Sequence, residues 1–110
     1  MTQTEEPEVT EGSANVYADL GMSNADEMLA KAQLVVKIAE IIKGRGWTQL
    51  EAAKVSGIPQ PKLSKMLRGQ FRGISEAKML EGIVRMGRDV RIVVSATPAV
   101  GVGHFDVVFA

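Results

Sequence analysis

The chain has 110 residues, which suits one domain with a modest core and excludes a separate catalytic domain. It has no cysteine and one histidine, which excludes disulfides, thiolate metal sites and the usual catalytic triads; we therefore expect no cofactor, no metal and no enzymatic activity. The net charge is zero. No apolar run approaches the roughly 18 residues of a membrane span, and the N-terminus is acidic, whereas a secretory signal begins with basic residues. We therefore expect a soluble, cytoplasmic protein without membrane contact.

Residues 1–23 are predicted to form an acidic, flexible tail, because they have too little apolar content to offset the entropy of ordering. Their apolar anchors, Val16, Tyr17 and Leu20, suit a segment that orders as it docks on a partner. A solvated tail that only aids solubility is the alternative.

The two signs of charge lie in different parts of the chain. Residues 1–27 contain seven acidic residues and no Lys or Arg, whereas residues 28–110 carry thirteen basic and six acidic residues, a net charge of +7. Basic surfaces gain free energy by displacing counterions from phosphates, although many are simply solvated. The asymmetry indicates an acidic tail on a basic body suited to nucleic acid.

Caps and apolar spacing indicate the first two helices. Behind the cap-like Asn24, apolar residues recur at three- and four-residue steps as far as Gly44, which predicts an amphipathic helix. The second helix starts at Thr48, because a threonine followed three residues later by Glu51 is a capping box.

A tight turn and two further helices are predicted next. Gly57 and Pro59 end the second helix, because glycine favours a left-handed turn and proline disfavours helical geometry at the preceding residue. A third helix then covers about residues 60–67, and a fourth begins at Ser75 and ends at Gly87.

The apolar period changes after Gly87. Residues 90–94 and 104–109 alternate apolar and polar side chains, which predicts two short strands. We therefore expect residues 88–110 to form a β-strand pair, and pairing within one chain or between two chains both remain open. Residues 88–96 would leave an open edge, so a two-fold mate that pairs with it would make this segment a dimer interface.

Residues 48–68 have the pattern of two short helices that cross steeply. Four small or apolar residues are expected to form the scaffold of this pair: Ala53, Gly57, Leu63 and Met66. Leu50 and Ile58 are expected to close the same core. Groups suited to base edges lie on the outer face of the third helix: Gln60, Pro61, Lys62, Ser64 and Lys65. Phosphate contacts are expected from Lys43, Arg45, Thr48, Lys54, Arg68 and Arg72. The alternative is an ordinary helical hairpin with a solvated lysine face.

The segments GWTQLEAA (residues 46–53) and KLSKMLRG (residues 62–69), with Gly57 between them, resemble the XRE family of phage-repressor-like helix-turn-helix domains. The resemblance is closest to the HigA-like antitoxins and runs from about Asn15 to Val94. It implies an all-α DNA-binding bundle, often dimeric, in which Gln49 holds a phosphate at the start of its helix. Pro59 and Pro61 depart from the small polar residues usual there.

The expected fold is mainly α: a phage-repressor-like four-helix DNA-binding bundle over residues 24–87 with a C-terminal β-strand pair. The expected function is a sequence-specific transcriptional repressor that binds double-stranded operator DNA as a homodimer. The resemblance implies the antitoxin of a type II toxin–antitoxin pair, which represses its own operon and neutralises a RelE- or HigB-like toxin, a small basic ribonuclease. The alternatives are a stand-alone or phage-derived XRE-type regulator without a toxin partner, and a protein-interaction domain with the same fold.

Overall fold

The computed structural model describes residues 24–98 and 100–110, and the regular structure there consists of four helices. They are α1 (Asn24–Arg45), α2 (Gln49–Ser56), α3 (Gln60–Leu67) and α4 (Glu76–Arg85). These bounds agree closely with the predicted ones, so the mainly α prediction is confirmed. The predicted acidic tail, with Val16, Tyr17 and Leu20, lies outside the described residues. None of the four helices has the length and apolarity needed to cross a bilayer.

Local side-chain hydrogen bonds start two of the helices. Thr48 Oγ1 accepts the Glu51 amide at 3.1 Å and Glu51 Oε1 accepts the Thr48 amide at 2.8 Å, which completes the predicted capping box of α2. Ser75 Oγ accepts the Lys78 amide at 3.1 Å at the start of α4. Each cap satisfies an amide that has no partner inside its helix.

The core lies between α1 and α4 on one side and the α2–α3 pair on the other. Its largest fully buried apolar side chains come from α1, α3, α4 and the α2–α3 turn: Ile38, Ile41, Ile58, Leu63, Met66 and Met79. Burial of each stabilises the fold by about 1.5–3 kcal/mol relative to exposure. Leu50 does not join them, because α2 turns Ala52 and Ser56 inward and Leu50 lies on the opposite side of the helix, 59% exposed. The expectation that Leu50 closes the core is therefore wrong.

A buried ion pair on α1 holds the link between α3 and α4. Lys31 and Glu27 are 4% and 8% exposed, one helical turn apart, with Lys31 Nζ 3.4 Å from Glu27 Oε2. The same ammonium donates a hydrogen bond of 2.9 Å to the carbonyl oxygen of Arg72. The main chain of the link is therefore tied to α1 by a charge-assisted bond.

The predicted C-terminal strand pair is not formed within the chain: residues 88–98 and 100–110 contain no strand. Ile92, Val93 and Val94 are 83%, 87% and 86% exposed, and no backbone hydrogen bond joins them to another segment among the residues described. A strand is stabilised by ladder hydrogen bonds and cross-strand side-chain contacts, and this segment has neither within the described chain.

The second predicted strand packs on the helices instead of pairing with the first. Val107 contacts the core, and Lys37 Nζ of α1 lies 4.7 Å from the centroid of the Phe109 ring, a cation–π distance. Residues 104–110 therefore return to the helical body.

Candidate nucleic-acid interface

A three-residue turn, Gly57 to Pro59, joins α2 to α3 and sets the angle between them. Gly57 has φ +77°, a left-handed conformation that residues with a Cβ rarely adopt, and its amide donates to the Ala53 carbonyl oxygen at 3.0 Å. Ser56 is fully buried and its Oγ accepts the Ile58 amide at 3.1 Å. The turn therefore satisfies its polar groups internally, and the predicted role of Gly57 has a conformational basis.

The predicted scaffold residues lie at the contact between α2, α3 and the core. Leu63 and Met66 are fully buried on the inner face of α3, as their three-residue spacing predicts. Ala53 is half-buried and packs against the core, while its neighbour Ala52 is the fully buried alanine of α2.

Gly82 of α4, which lies against the α2–α3 turn, was not among the residues predicted from the sequence patterns. A Cβ added there would lie 3.1 Å from Ile58 Cδ1 and 3.5 Å from Ser56 Cβ, so a side chain at this position of α4 would require Ile58 to shift. A glycine inside a helix costs about 1 kcal/mol relative to alanine and so often marks a close contact, which is the signal that points to it.

The N-terminus of α3 is open to solvent and positively polarised. Pro59 occupies the cap position without a side-chain hydrogen bond, Pro61 lies in the first turn, and that turn contains no acidic residue. Proline is tolerated there because the first amides of a helix have no intrahelical acceptor. The partial positive charge of the helix end is therefore not neutralised by the first turn.

The five residues predicted to face bases lie on the outer side of α3, with Pro61, Lys62 and Lys65 exposed and Gln60 and Ser64 half-buried. They therefore flank the uncapped end and line the exposed face that the buried residues of α3 leave free.

Two side-chain hydrogen bonds organise this face. Gln60 Nε2 donates to Gln49 Oε1 at 3.3 Å, which joins the first residues of α3 and α2. Arg68 Nη1 donates to Ser64 Oγ at 3.1 Å at the other end of α3. The structure thus brings two predicted phosphate-binding residues, Gln49 and Arg68, into contact with two predicted base-facing ones.

All seven residues predicted to contact phosphates are exposed: Lys43, Arg45, Thr48, Gln49, Lys54, Arg68 and Arg72. Besides Gln49 and Arg68, two of these residues make side-chain contacts. The Arg45 guanidinium lies 4.7 Å from the centroid of the Trp47 ring, and Thr48 Oγ1 is taken up by the capping box.

The surface charge around α2 and α3 is strongly positive. Residues 41–75 contain seven Lys and Arg and one acidic residue, Glu51, which is engaged in the capping box. The ion pairs found among residues 24–98 and 100–110 involve Lys31, Lys37, Lys78 and Arg85, none of which lies on α2, α3 or the link after α3. The cations near α3 therefore remain available to an anionic partner. Within the same residues, no group of three or more His, Cys, Asp or Glu is placed to hold a metal ion.

A protein-family model described as a helix-turn-helix domain matches residues 16–95. This range contains all four helices and ends at Ser95, after the exposed apolar run 92–94. Neither the curated proteins nor the solved structures gave a match.

Proposed function

Because the chain belongs to the helix-turn-helix domain family, we propose that it is a sequence-specific DNA-binding transcriptional repressor that acts in the cytoplasm and has no catalytic activity of its own. The observation that carries the proposal is the outer face of α3, where exposed lysines without ion-pair partners lie beside a glutamine that is hydrogen-bonded to α2. In a helix-turn-helix, the second helix of the pair enters the major groove, and its N-terminal residues contact base edges.

The side chains on α3 have the chemistry for reading bases. An amide such as that of Gln60 can donate to and accept from adenine, and an ammonium such as those of Lys62 and Lys65 can donate to guanine. The bond from Gln60 Nε2 to Gln49 leaves the second amide hydrogen and Oε1 of Gln60 for a base. Gln49 therefore orients the reading side chain as well as lying at the start of α2, where phosphates bind.

The charge around the reading helix supplies affinity without sequence preference. Each phosphate neutralised by a Lys or Arg releases counterions and adds about 0.9 to the slope of log affinity against log salt. With seven basic residues and one acid over residues 41–75, the binding of DNA by this surface should weaken steeply as salt rises.

The finer proposal is that the repressor is the antitoxin of a type II toxin–antitoxin pair. It is supported by the HigA-like pattern of residues 46–69 and by the charge of residues 1–27, whose seven acids are opposite in sign to a basic ribonuclease. Val16, Tyr17 and Leu20 would be the apolar anchors of the segment that wraps the toxin. A neighbouring gene for a small basic ribonuclease distinguishes this proposal from its alternative, a stand-alone or phage-derived XRE-type regulator.

The test of the reading helix begins with selection of an operator from random duplex DNA by the full chain. Gln60→Ala and Lys62→Ala should each weaken binding of that operator by about 1–3 kcal/mol, with an unchanged melting temperature because both side chains lie outside the core. Lys78→Ala is the matched control, since Lys78 lies on α4 and is paired with Glu81. If both α3 variants bind the operator as tightly as the parent chain, α3 is not the reading helix.

A further inference from the structure

Lys31 is a buried cation whose contacts are not accounted for by stability alone. Its ammonium lies 3.4 Å from the Glu27 carboxylate, and both residues are buried. Taking two charges out of water costs free energy that their attraction often only offsets, so a well-packed apolar pair would stabilise the fold as well or better. The hydrogen bond from Lys31 Nζ to the Arg72 carbonyl oxygen, 41 positions along the chain, indicates a further role for the pair.

The main chain at residues 71–73, in the link between α3 and α4, has few other hydrogen bonds. The Phe71 carbonyl oxygen accepts the Ile74 amide at 3.1 Å, and the Arg72 carbonyl oxygen accepts from Lys31 at 2.9 Å. The amides of Phe71, Arg72 and Gly73 donate to no acceptor among the residues that the structure describes. Lys31 therefore supplies the hydrogen bond from another element that fixes the orientation of this part of the link.

The bond to Lys31 also sets the direction of the Gly73 amide. The Arg72 carbonyl and the Gly73 amide belong to one peptide unit, which is planar and trans, so its C=O and N–H point in opposite directions. Because the carbonyl points at the buried ammonium of α1, the amide points away from it, and both Arg72 and Gly73 are exposed. A bond to a charged donor also polarises the peptide unit, which strengthens its N–H as a donor.

We propose that Lys31 is a positioning residue for DNA binding: by holding the Arg72 carbonyl oxygen, it presents the Gly73 amide to a phosphate of the DNA backbone. The Arg72 guanidinium supplies the positive charge at the same phosphate. Backbone amides and arginine side chains both bind phosphate oxygens. This inference rests on the proposed function, since it adds a backbone contact to the DNA that α3 reads.

The surroundings of Gly73 suit an anion. A Cβ placed on Gly73 would meet no atom within 4 Å, so there is open space around its main chain. Residues 52–75 contain no acidic residue, and Arg72 has no ion-pair partner in the described part of the chain. A phosphate at the link would therefore meet positive charge without a competing carboxylate nearby in sequence.

The pair variant Glu27→Leu/Lys31→Met tests the role of Lys31 in the full chain. Replacing both partners leaves no unpaired buried charge and leaves the net charge of the chain unchanged, so the variant should fold and keep its long-range attraction to DNA. Its affinity for the operator selected by the parent chain should fall about tenfold, because a hydrogen bond to a charged phosphate is lost.

The matched control is Lys37→Met/Glu40→Leu. It removes the same two charges from the same helix, but this pair is partly open to solvent, with side chains 21% and 60% exposed, and it forms no hydrogen bond with the link. The control should bind the operator like the parent chain.

Arg72→Ala distinguishes positioning from a loss of stability. In the parent chain it should weaken binding about tenfold and lower the slope of log affinity against log salt by about 0.9. In the pair variant the same substitution should weaken binding no more than about threefold, because Arg72 and the Gly73 amide share one phosphate. A general loss of stability would leave the effect of Arg72→Ala unchanged.

The Gly73 amide can also be observed directly in a proton–nitrogen correlation spectrum. Addition of operator DNA to the parent chain should move its proton signal downfield, as expected for an amide that donates to a charged phosphate. The pair variant should show no such shift at an operator concentration that saturates it.

A pair variant that binds as tightly as the parent, equal weakening by the control, additive effects with Arg72→Ala, or an unshifted Gly73 amide would each overturn the proposal. A parent chain that binds no DNA would overturn the proposed function and this inference together. A parent chain that binds through α3 while the pair variant binds equally well would overturn this inference alone.

Discussion

Replacing Gly82 by alanine tests whether the contact between α4 and the α2–α3 turn limits the packing of the domain. In an open helical position, the change from glycine to alanine stabilises a helix by up to about 1 kcal/mol. At Gly82 the new methyl group would lie 3.1 Å from Ile58 Cδ1, and Ile58 is only 1% exposed, so its side chain has little room to move aside. Overpacking of this kind costs about 1–3 kcal/mol.

The net expectation for Gly82→Ala is therefore a loss of about 1 kcal/mol, measured as the free energy of unfolding in urea. Gly44→Ala is the matched control, since Gly44 also lies in a helix but an added Cβ there meets no atom within 4 Å. That variant should be more stable than the parent by up to about 1 kcal/mol.

The double variant Gly82→Ala/Ile58→Val isolates the contact, because valine lacks the Cδ1 atom that the new methyl group meets. Ile58→Val alone should cost about 0.5–1.5 kcal/mol, and the double variant should be more stable than the two single losses predict, with a coupling of about 1 kcal/mol. Additive losses, or a Gly82→Ala variant as stable as Gly44→Ala, would refute the proposed contact.

Two further variants test the buried Lys31–Glu27 ion pair on α1 and the acidic tail. Lys31→Met should lower the free energy of unfolding in urea by about 3–5 kcal/mol, because it leaves the Glu27 carboxylate buried without a partner. Adding Glu27→Leu removes that carboxylate and should recover much of the loss. A double variant no more stable than Lys31→Met alone would contradict this. If the antitoxin proposal is right, a chain without residues 1–23 should still bind the operator but should lose affinity for the basic ribonuclease in calorimetric titration, and retained affinity would exclude the tail as the toxin contact.

The features predicted correctly from the sequence are those that depend on a few neighbouring residues. The capping box at Thr48 and the left-handed turn at Gly57 each form within three or four residues, so the local pattern is sufficient. Leu63 and Met66 were placed correctly because a short helix between a turn and a glycine has one apolar face.

The features that were missed depend on residues far apart in the chain. The bond from Lys31 to Arg72 spans 41 positions, and the contact of Gly82 with Ile58 joins α4 to the α2–α3 turn. The strand prediction failed for a related reason, because the alternation at residues 90–94 shows a capacity for pairing without showing a partner. The contacts predicted for Gln60 and Lys62 depend on DNA, so the fold places these side chains but does not test their roles.

The two prolines that flank Gln60 also bear on how the protein would tolerate imperfect operators. Their rings fix φ on both sides of Gln60, the first residue of α3, so this part of the backbone has little conformational entropy left to lose on binding, compared with about 1–2 kcal/mol for ordering a free residue. A first helical turn whose backbone is fixed before DNA binds cannot change its conformation to fit a mismatched base pair. If α3 reads DNA as proposed, a mismatch must be absorbed by the longer side chains of α3 or by the DNA. Discrimination should then be sharpest at the base pair that Gln60 contacts and weaker towards Lys65.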